Sequence, residues 1–299
     1  MTFLQAVVNG VALAAVYALL GLGFVIIYKS MQVLSFAQPG LMLFGGWWVV
    51  YFATVQNFNF YLAVLIAVVI AAITGVVIER IFLRPMVGKP VFAVAIMTMG
   101  IDLAVRTLSG NFYDVTVRSV GDPWGFNTFK VAGLVVNYRR VAAIVVAVAL
   151  VTALLAFFRY SRMGLAMRAT AFDQEVALTQ GVSVAAVFAL SWAMASVLAT
   201  VAGVFISPDS GTLAPQMFPL ALKALPVVVI GGLDSIGGTL VAALLVGISE
   251  SLMSTFQPRY EVLSFLGQNF AQVVPYLVMF VVLLIRPYGL FGTREVERV

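Results

Sequence analysis

The chain has 299 residues, 63% of them hydrophobic and only 10% charged, and its 17 Lys and Arg against 12 Asp and Glu give a formal charge of +5. With a mean hydropathy of +1.08, so much apolar surface cannot be hidden from water by a soluble domain of this length, which excludes an ordinary globular enzyme. Cysteine and histidine are both absent, which removes disulfides, thiol nucleophiles, thiolate metal sites and the usual general base near neutral pH.

Spanning a bilayer takes about 20 apolar residues per helix, and hydrocarbon admits only helices or a closed barrel. Unbroken apolar runs such as 62–78 exclude the alternation of a barrel strand. The expected fold class is all-α: a polytopic transmembrane helical bundle of about eight to nine passes, some broken or re-entrant. The N-terminal Met1-Thr2-Phe3-Leu4-Gln5 has no basic region, so no removed signal peptide is expected. The first pass covers 4–28. The second, 33–54, is interrupted by Pro39-Gly40, and 60–82 and 91–108 follow. The segment 109–140 mixes Gly, Asp, Asn and Pro with Phe112, Tyr113, Trp124, Phe126 and Phe129, and turns at Gly121-Asp122-Pro123 before short β-rich runs. It reads as an extracytoplasmic cap, either a docking surface or a lid over helix ends. Passes at 141–158 and 184–206 flank a polar stretch at 159–183, and a short run at 219–233 precedes 238–256 and 269–287. The whole chain reads as one transmembrane domain.

Basic residues set the orientation. Lys29, Arg80, Arg84, Lys89, Arg159, Arg162, Arg168, Arg286, Arg294 and Arg298 fall on one set of loops, while the opposite short loops hold little beyond Arg259. The basic set belongs in the cytoplasm, with the N-terminus outside and the C-terminus inside. Most of these cations sit at helix ends, where lipid headgroups anchor them, and no nucleic-acid partner is expected.

Polar groups at membrane depth are costly, by about 2.5–3.5 kcal/mol for a mid-helix charge. Asp102, Lys223, Glu250 and Glu79 are the candidates. Each is open to a polar-pathway reading or an ion-pair reading. For Lys223 and Glu79 the reading preferred is snorkelling to an interface, and for Glu250 an interhelical structural contact. The run Ile230-Gly231-Gly232-Leu233-Asp234-Ser235-Ile236-Gly237-Gly238 marks a sharp turn between two apolar runs. In 159–183, Thr170 or Asp173 is a candidate N-cap for a short helix over 173–180, stopped by Gly181. Such a helix suits either a socket on another protein or a partnerless membrane surface.

Glu175-Val176-Ala177 followed by Gly181 resembles the Glu-Ala-Ala…Gly loop of ATP-binding-cassette importer permeases. Nearly the whole chain is similar to the LivH/LivM-type permeases of branched-chain amino-acid importers, leaning to the LivH type. The matching stretches run from Asn9-Gly10 through Tyr17-Ala18-Leu19, then Ser35-Phe36-Ala37-Gln38-Pro39-Gly40 and Leu83-Arg84-Pro85. They continue with Gly164-Leu165-Ala166-Met167-Arg168-Ala169, the glycine-rich run 230–238 and Arg286-Pro287-Tyr288-Gly289-Leu290-Phe291-Gly292. The resemblance implies a multi-pass subunit of a bacterial cytoplasmic (inner) membrane. Its implied partners are a second permease, by family habit in a heterodimer, two cytoplasmic ATP-binding cassette subunits and an extracytoplasmic solute-binding protein. It implies no catalysis and no cofactor in this chain, ATP and Mg being held by the partner subunits. It also assigns 165–181 to one coupling helix, with Arg168, Asp173, Glu175, Ala177 and Gly181 at the ATPase. Substrates implied are branched-chain or other hydrophobic amino acids, the alternatives being urea and short amides or aromatic and steroid-type carboxylates. The family's usual Asn-Phe-Ala-His-Gly-Glu is replaced here by 35–40, which changes the polarity of a segment bordering the pathway. Candidate pathway residues are Gln38, Phe44, Trp47 and Trp48 on the broken second pass, with Met97 and Met99, and packing is the alternative for each aromatic and Met. An ion-coupled secondary transporter is the rival class, and it would need an intramembrane carboxylate or histidine relay.

Overall fold

Apolar runs become helices here because in hydrocarbon the backbone must close its own hydrogen bonds. The computed structural model describes residues 2–112, 117–131, 133–207, 211–260, 267 and 269–292. Tyr113, Arg294, Arg298 and the Phe112 side chain lie outside the described residues. Helix α1 (Thr2–Met31) is followed by α2 (Gln38–Val50), α3 (Phe60–Ile78), α4 (Val91–Phe112) and the short strand β1 (Arg118–Ser119). Strands β2 (Thr128–Val131) and β3 (Leu134–Asn137) then lead into α5 (Tyr138–Tyr160), α6 (Arg162–Phe172), α7 (Gln174–Thr179) and α8 (Val184–Phe205). Strand β4 (Thr212–Leu213), α9 (Phe218–Leu222), α10 (Ala224–Gly231), α11 (Ile236–Phe256) and α12 (Val274–Ile285) complete the order. Among the described residues, six helical stretches are long and apolar enough to cross a membrane, those beginning at Thr2, Phe60, Val91, Tyr138, Val184 and Ile236, and two shorter apolar ones cover Pro215–Gly231 and Val274–Ile285.

The bundle is built around α1. Its apolar window is 89% buried, whereas those of α4 and α5 are 22% buried. A helix apolar all round belongs inside; α4 and α5, apolar yet exposed, present their outer faces to lipid. Helix α11 crosses α1 where small residues meet: a Cβ built on Gly10 would stand 2.6 Å from Ile248 Cα, and one on Gly247 2.7 Å from the Ala14 nitrogen. Lipid tails are as apolar as leucine, so such close backbone approach, rather than hydrophobic burial, holds the pair. Phe24, Leu41, Trp47, Trp192 and Leu198 fill the core between α1, α2 and α8.

The second pass departs from expectation. Residues 33–37 are not helical, α2 starts at Gln38, and Pro39 lies in its first turn rather than interrupting it. Proline is tolerated there because the N–H it lacks would be an orphan anyway. The helix continues through one wide turn at Tyr51–Val55. The seventh apolar run is also broken, with α9 and α10 meeting at Lys223.

At the α1 N-terminal end, β2 pairs antiparallel with β3, and β1 pairs antiparallel with β4. Gln5 joins the β3 edge through its side chain, donating to the Val135 carbonyl at 2.7 Å and accepting from the Val135 N–H at 3.0 Å. Arg139 at the start of α5 donates to the buried Asp122 at 3.1 Å, pinning the Gly121-Asp122-Pro123 turn to the bundle.

The snorkelling expected of Glu79 and Lys223 is not what the fold adopts. Glu79 is fully buried, and Arg84 is the residue that reaches outward while clasping it with two hydrogen bonds, at 3.2 and 3.0 Å. Lys223, buried at the α9–α10 break, pairs with Glu250 on α11. Each buried charge has an opposite partner within reach, which offsets part of the cost of taking it out of water.

Candidate functional site

The stretch 159–183 forms two helices: the short one expected over 173–180 is α7, and the 165–181 span given to the coupling helix is divided between α6 and α7. Ser161 caps α6 by accepting from the Gly164 N–H at 2.8 Å. The chain then breaks at Asp173, whose backbone is extended (φ −157°, ψ 116°). Its carboxylate accepts from the N–H groups of Glu175 and Val176 at 2.9 and 3.0 Å, so Asp173 is the N-cap of α7, and Thr170 is buried within α6. An N-cap residue takes non-helical dihedrals, which is why the capping aspartate divides the segment. Gly181 ends α7 at φ +80°, with Gly181 N–H on the Leu178 carbonyl and Val182 N–H on the Ala177 carbonyl, both at 3.0 Å. This left-handed C-terminal cap is where glycine is favoured.

Ala177 is 3% exposed and anchors α7, whereas Arg168, Glu175, Val176 and Leu178 are exposed and Phe172 is 96% exposed. The five expected coupling residues therefore separate by role. Asp173 and Gly181 shape the helix, Ala177 seats it, and Glu175 and Arg168 face outward beside an apolar knob. Gln174 ties α7 to the end of α1 through the Ser30 carbonyl at 3.2 Å. Lys29 in turn donates to the Asp234 carbonyl at 2.9 Å, so α7, α1 and the α10–α11 turn are linked in series.

That turn is the glycine-rich run. Gly232 has φ +100°, which only glycine adopts without strain, and a Cβ on it would stand 2.5 Å from the Gly292 nitrogen. Ser235 caps α11 through Gly238 N–H at 3.0 Å. The segment after α12 binds here, with Leu290 N–H on the Ile230 carbonyl at 2.7 Å and Phe291 N–H on that of Gly231 at 3.2 Å. Two stretches far apart in sequence thus form one joint.

The expected pathway residues do not converge into one lining. Gln38 is fully buried against Gly23, and neither atom of its amide has a hydrogen-bond partner among the described residues. Trp47 is buried in the core, while Phe44 and Trp48 lie half-buried on another face of α2, with ring centroids 6.1 Å apart. Trp48 stacks on Phe52 at 5.6 Å, and Phe52 on Phe58 at 5.8 Å. The sequence signal for this ladder is the helical spacing of the aromatics at 44, 48 and 52. Met97 packs against the core, whereas Met99 is exposed on the opposite side of α4.

Two ionic clusters are better assembled. Asp102 on α4 accepts from Gly40 N–H at 2.7 Å, capping α2 from a neighbouring helix, and also holds Arg106 at 2.8 Å. The first turn of α2 has no side-chain cap of its own, so Asp102 satisfies one of its orphan donors. Arg106 lies 3.8 Å from the centroid of the Phe218 ring, a cation–π contact. Glu250 on α11 accepts from the Tyr17 hydroxyl at 2.7 Å and pairs with Lys223. Tyr17 falls in the Tyr17-Ala18-Leu19 motif, but nothing local ties it to Glu250, 233 residues away. Among the described residues no group of three or more Asp, Glu, His or Cys side chains is placed to hold a metal ion.

A family described as branched-chain amino acid transport system / permease component matches residues 6–283. The high-affinity branched-chain amino acid transport system permease protein LivH of Escherichia coli (strain K12) is 31% identical over 324 residues, covering 99% of this chain and 98% of its own. BraD of Pseudomonas aeruginosa, which carries the same description, is 26% identical with the same coverage. A probable branched-chain amino acid transport permease protein LivH of Methanocaldococcus jannaschii is 27% identical over 92% of this chain and 88% of its own. Among solved structures, PsaBC from Streptococcus pneumoniae in complex with Fab aligns with a TM-score of 0.51, covering 96% of this chain and 92% of that one. At 13% identity, it is a likeness of fold alone.

Proposed function

Because the chain belongs to the branched-chain amino acid transport permease family, we propose that it is the transmembrane subunit of a binding-protein-dependent ATP-binding-cassette importer for branched-chain or other hydrophobic amino acids. The observation that carries this reading is the end-to-end match to LivH-type permeases. The exposed, capped α7 supports it by supplying the docking element that a subunit without a phosphate-binding loop requires. In this reading the chain crosses a bacterial inner membrane about eight to nine times, with α6 and α7 in the cytoplasm and the β2–β3 hairpin outside, facing the solute-binding protein. It pairs with a second permease, and two cassette subunits hold the ATP and Mg.

Work enters through α7. Glu175, Phe172 and Leu178 contact the cassette, and a shift of α7 passes through Gln174 to the end of α1 and through Lys29 to the α10–α11 joint. These contacts join rigid elements, which lets a small displacement rock helices rather than dissipate. The solute passes between the two permeases. The half-buried Phe44–Trp48–Phe52 ladder lines this chain's side, and Gln38, buried behind it with its amide unpartnered among the described residues, becomes available to a polar solute only when the helices move apart. The Gln38-Pro39-Gly40 sequence stands where relatives carry other polar groups, so urea-type amides and aromatic or steroid-type carboxylates are the competing substrates. The deciding experiment is uptake by proteoliposomes holding the full complex. Leucine accumulation requires ATP and binding protein and ignores a proton gradient. Accumulation that follows the proton gradient without ATP overturns the reading in favour of a secondary transporter.

A further inference from the structure

A cavity of about 680 Å³ opens at the end of the bundle that carries α6 and α7, within the range of small-molecule sites, about 300–1,000 Å³. Its walls come from elements that differ in kind. Lys29 belongs to the end of α1, Asp173 to the α6–α7 break, Val229, Leu233 and Asp234 to the α10–α11 joint, and Leu283 to α12.

Two of the charges on these walls, Lys29 and Asp173, keep bonding capacity among the described residues. The Lys29 ammonium donates to the Asp234 backbone carbonyl and forms no salt bridge with a carboxylate among the described residues. Asp173 spends one oxygen on capping α7, and its other oxygen has no partner among the described residues. The Lys29 cation on one wall, the carboxylates of Asp173 and Asp234 on others and the apolar side chains of Val229, Leu233 and Leu283 between helices suit a free α-amino acid with an apolar side chain. Its carboxylate meets Lys29, its ammonium Asp173, and its side chain the apolar wall.

We propose that this cavity is a second, product-side site for a free hydrophobic amino acid, and that its occupancy slows transport by bracing the α6–α7 segment against the α10–α11 joint. A ligand gripping both walls stabilises the arrangement in which they are close, and so opposes any cycle that moves them apart. The inference rests on the importer reading for the identity of the product and for placing this face in the cytoplasm.

The test is isothermal titration of L-leucine into the assembled permease–ATPase complex, without binding protein, in phosphatidylglycerol discs whose headgroups carry no ammonium. Leucine is expected to bind. Isocaproate, which lacks the ammonium, and leucinamide, which lacks the carboxylate, are expected to bind at least about tenfold more weakly, each leaving one charge-assisted bond unmade. Lys29→Gln is expected to weaken leucine by about the same factor, and Leu233→Trp, which fills the apolar wall, to abolish binding. In parallel, millimolar leucine is expected to lower binding-protein-stimulated ATP hydrolysis in the parent complex and not in Leu233→Trp. No binding, binding that survives both substitutions, or binding indifferent to the missing charges would overturn the proposal. Failure of the importer reading shows separately, as an absence of stimulation by leucine-loaded binding protein before any free leucine is added.

Discussion

Replacing Lys223 with Met keeps the length and most of the volume of the side chain and deletes its charge. Glu250 then remains on α11 with Tyr17 as its hydrogen-bond partner, at 2.7 Å, and no cation. Both side chains of the pair are more than nine-tenths buried, so the surface-salt-bridge discount does not apply. Removing one partner of a buried pair costs about 3–5 kcal/mol, because the surviving charge is left uncompensated. The double variant Lys223→Met/Glu250→Gln removes both charges and leaves a group that still accepts from Tyr17. Its expected loss is about 1 kcal/mol, near that of an ordinary hydrogen-bond change. Reversible unfolding in mixed dodecylmaltoside–SDS micelles reads the three variants as a double-mutant cycle with Glu250→Gln. A single Lys223→Met variant that loses under about 1 kcal/mol, or a double variant as damaged as the single, would refute the picture of one closed pair spanning the α9–α10 break and α11.

Three further substitutions probe other joints. Gly247→Val puts a branched side chain against the Ala14 nitrogen and the Gly10 carbonyl, both 2.7 Å from a built Cβ. It is expected to destabilise by at least about 1–3 kcal/mol through separation of α1 and α11, read as an earlier midpoint in the same micelle titration. Asp102→Ala strips the Gly40 N–H of its acceptor and Arg106 of its partner, with an expected loss of about 2–3 kcal/mol. Asp102→Asn, able to keep the Gly40 bond, should lose less. Asp173→Ala removes the cap of α7 for about 1 kcal/mol, and amide hydrogen exchange at Glu175 and Val176 should quicken about fivefold.

The parts of the structure legible from sequence are those that local chemistry decides. The helices at 60–78, 138–160 and 236–256 follow from apolar runs alone, and α7 with its Asp173 cap and Gly181 stop follows from capping rules. Pro39 and Lys223 show the limit. Pro39 marked an interrupted pass and Lys223 a costly charge, but whether proline starts a helix or kinks one, and whether a lysine snorkels or pairs, is decided by neighbours distant in the chain. Gly40 is 62 residues from its Asp102 acceptor, and Tyr17 is 233 residues from Glu250. The same limit governed the pathway residues. Spacing placed Phe44, Trp47 and Trp48 on one helix, yet only their neighbours determine that Trp47 turns to the core and the other two do not. In sequence, 230–238 and 286–292 read as two separate motifs, because the pairing of their backbone groups leaves no local trace.

The central claim is that a separate ATPase drives this chain through α7, and binding-protein-stimulated ATP hydrolysis by the intact complex tests it most directly. Glu175 is exposed, so Glu175→Ala should change stability by no more than about 0.5 kcal/mol, and Gly181→Ala strains only the end of the helix. In both variants, stimulated hydrolysis and leucine uptake are expected to fall together, while the complex stays folded and assembled. Stimulation at the parent level in both would contradict the account.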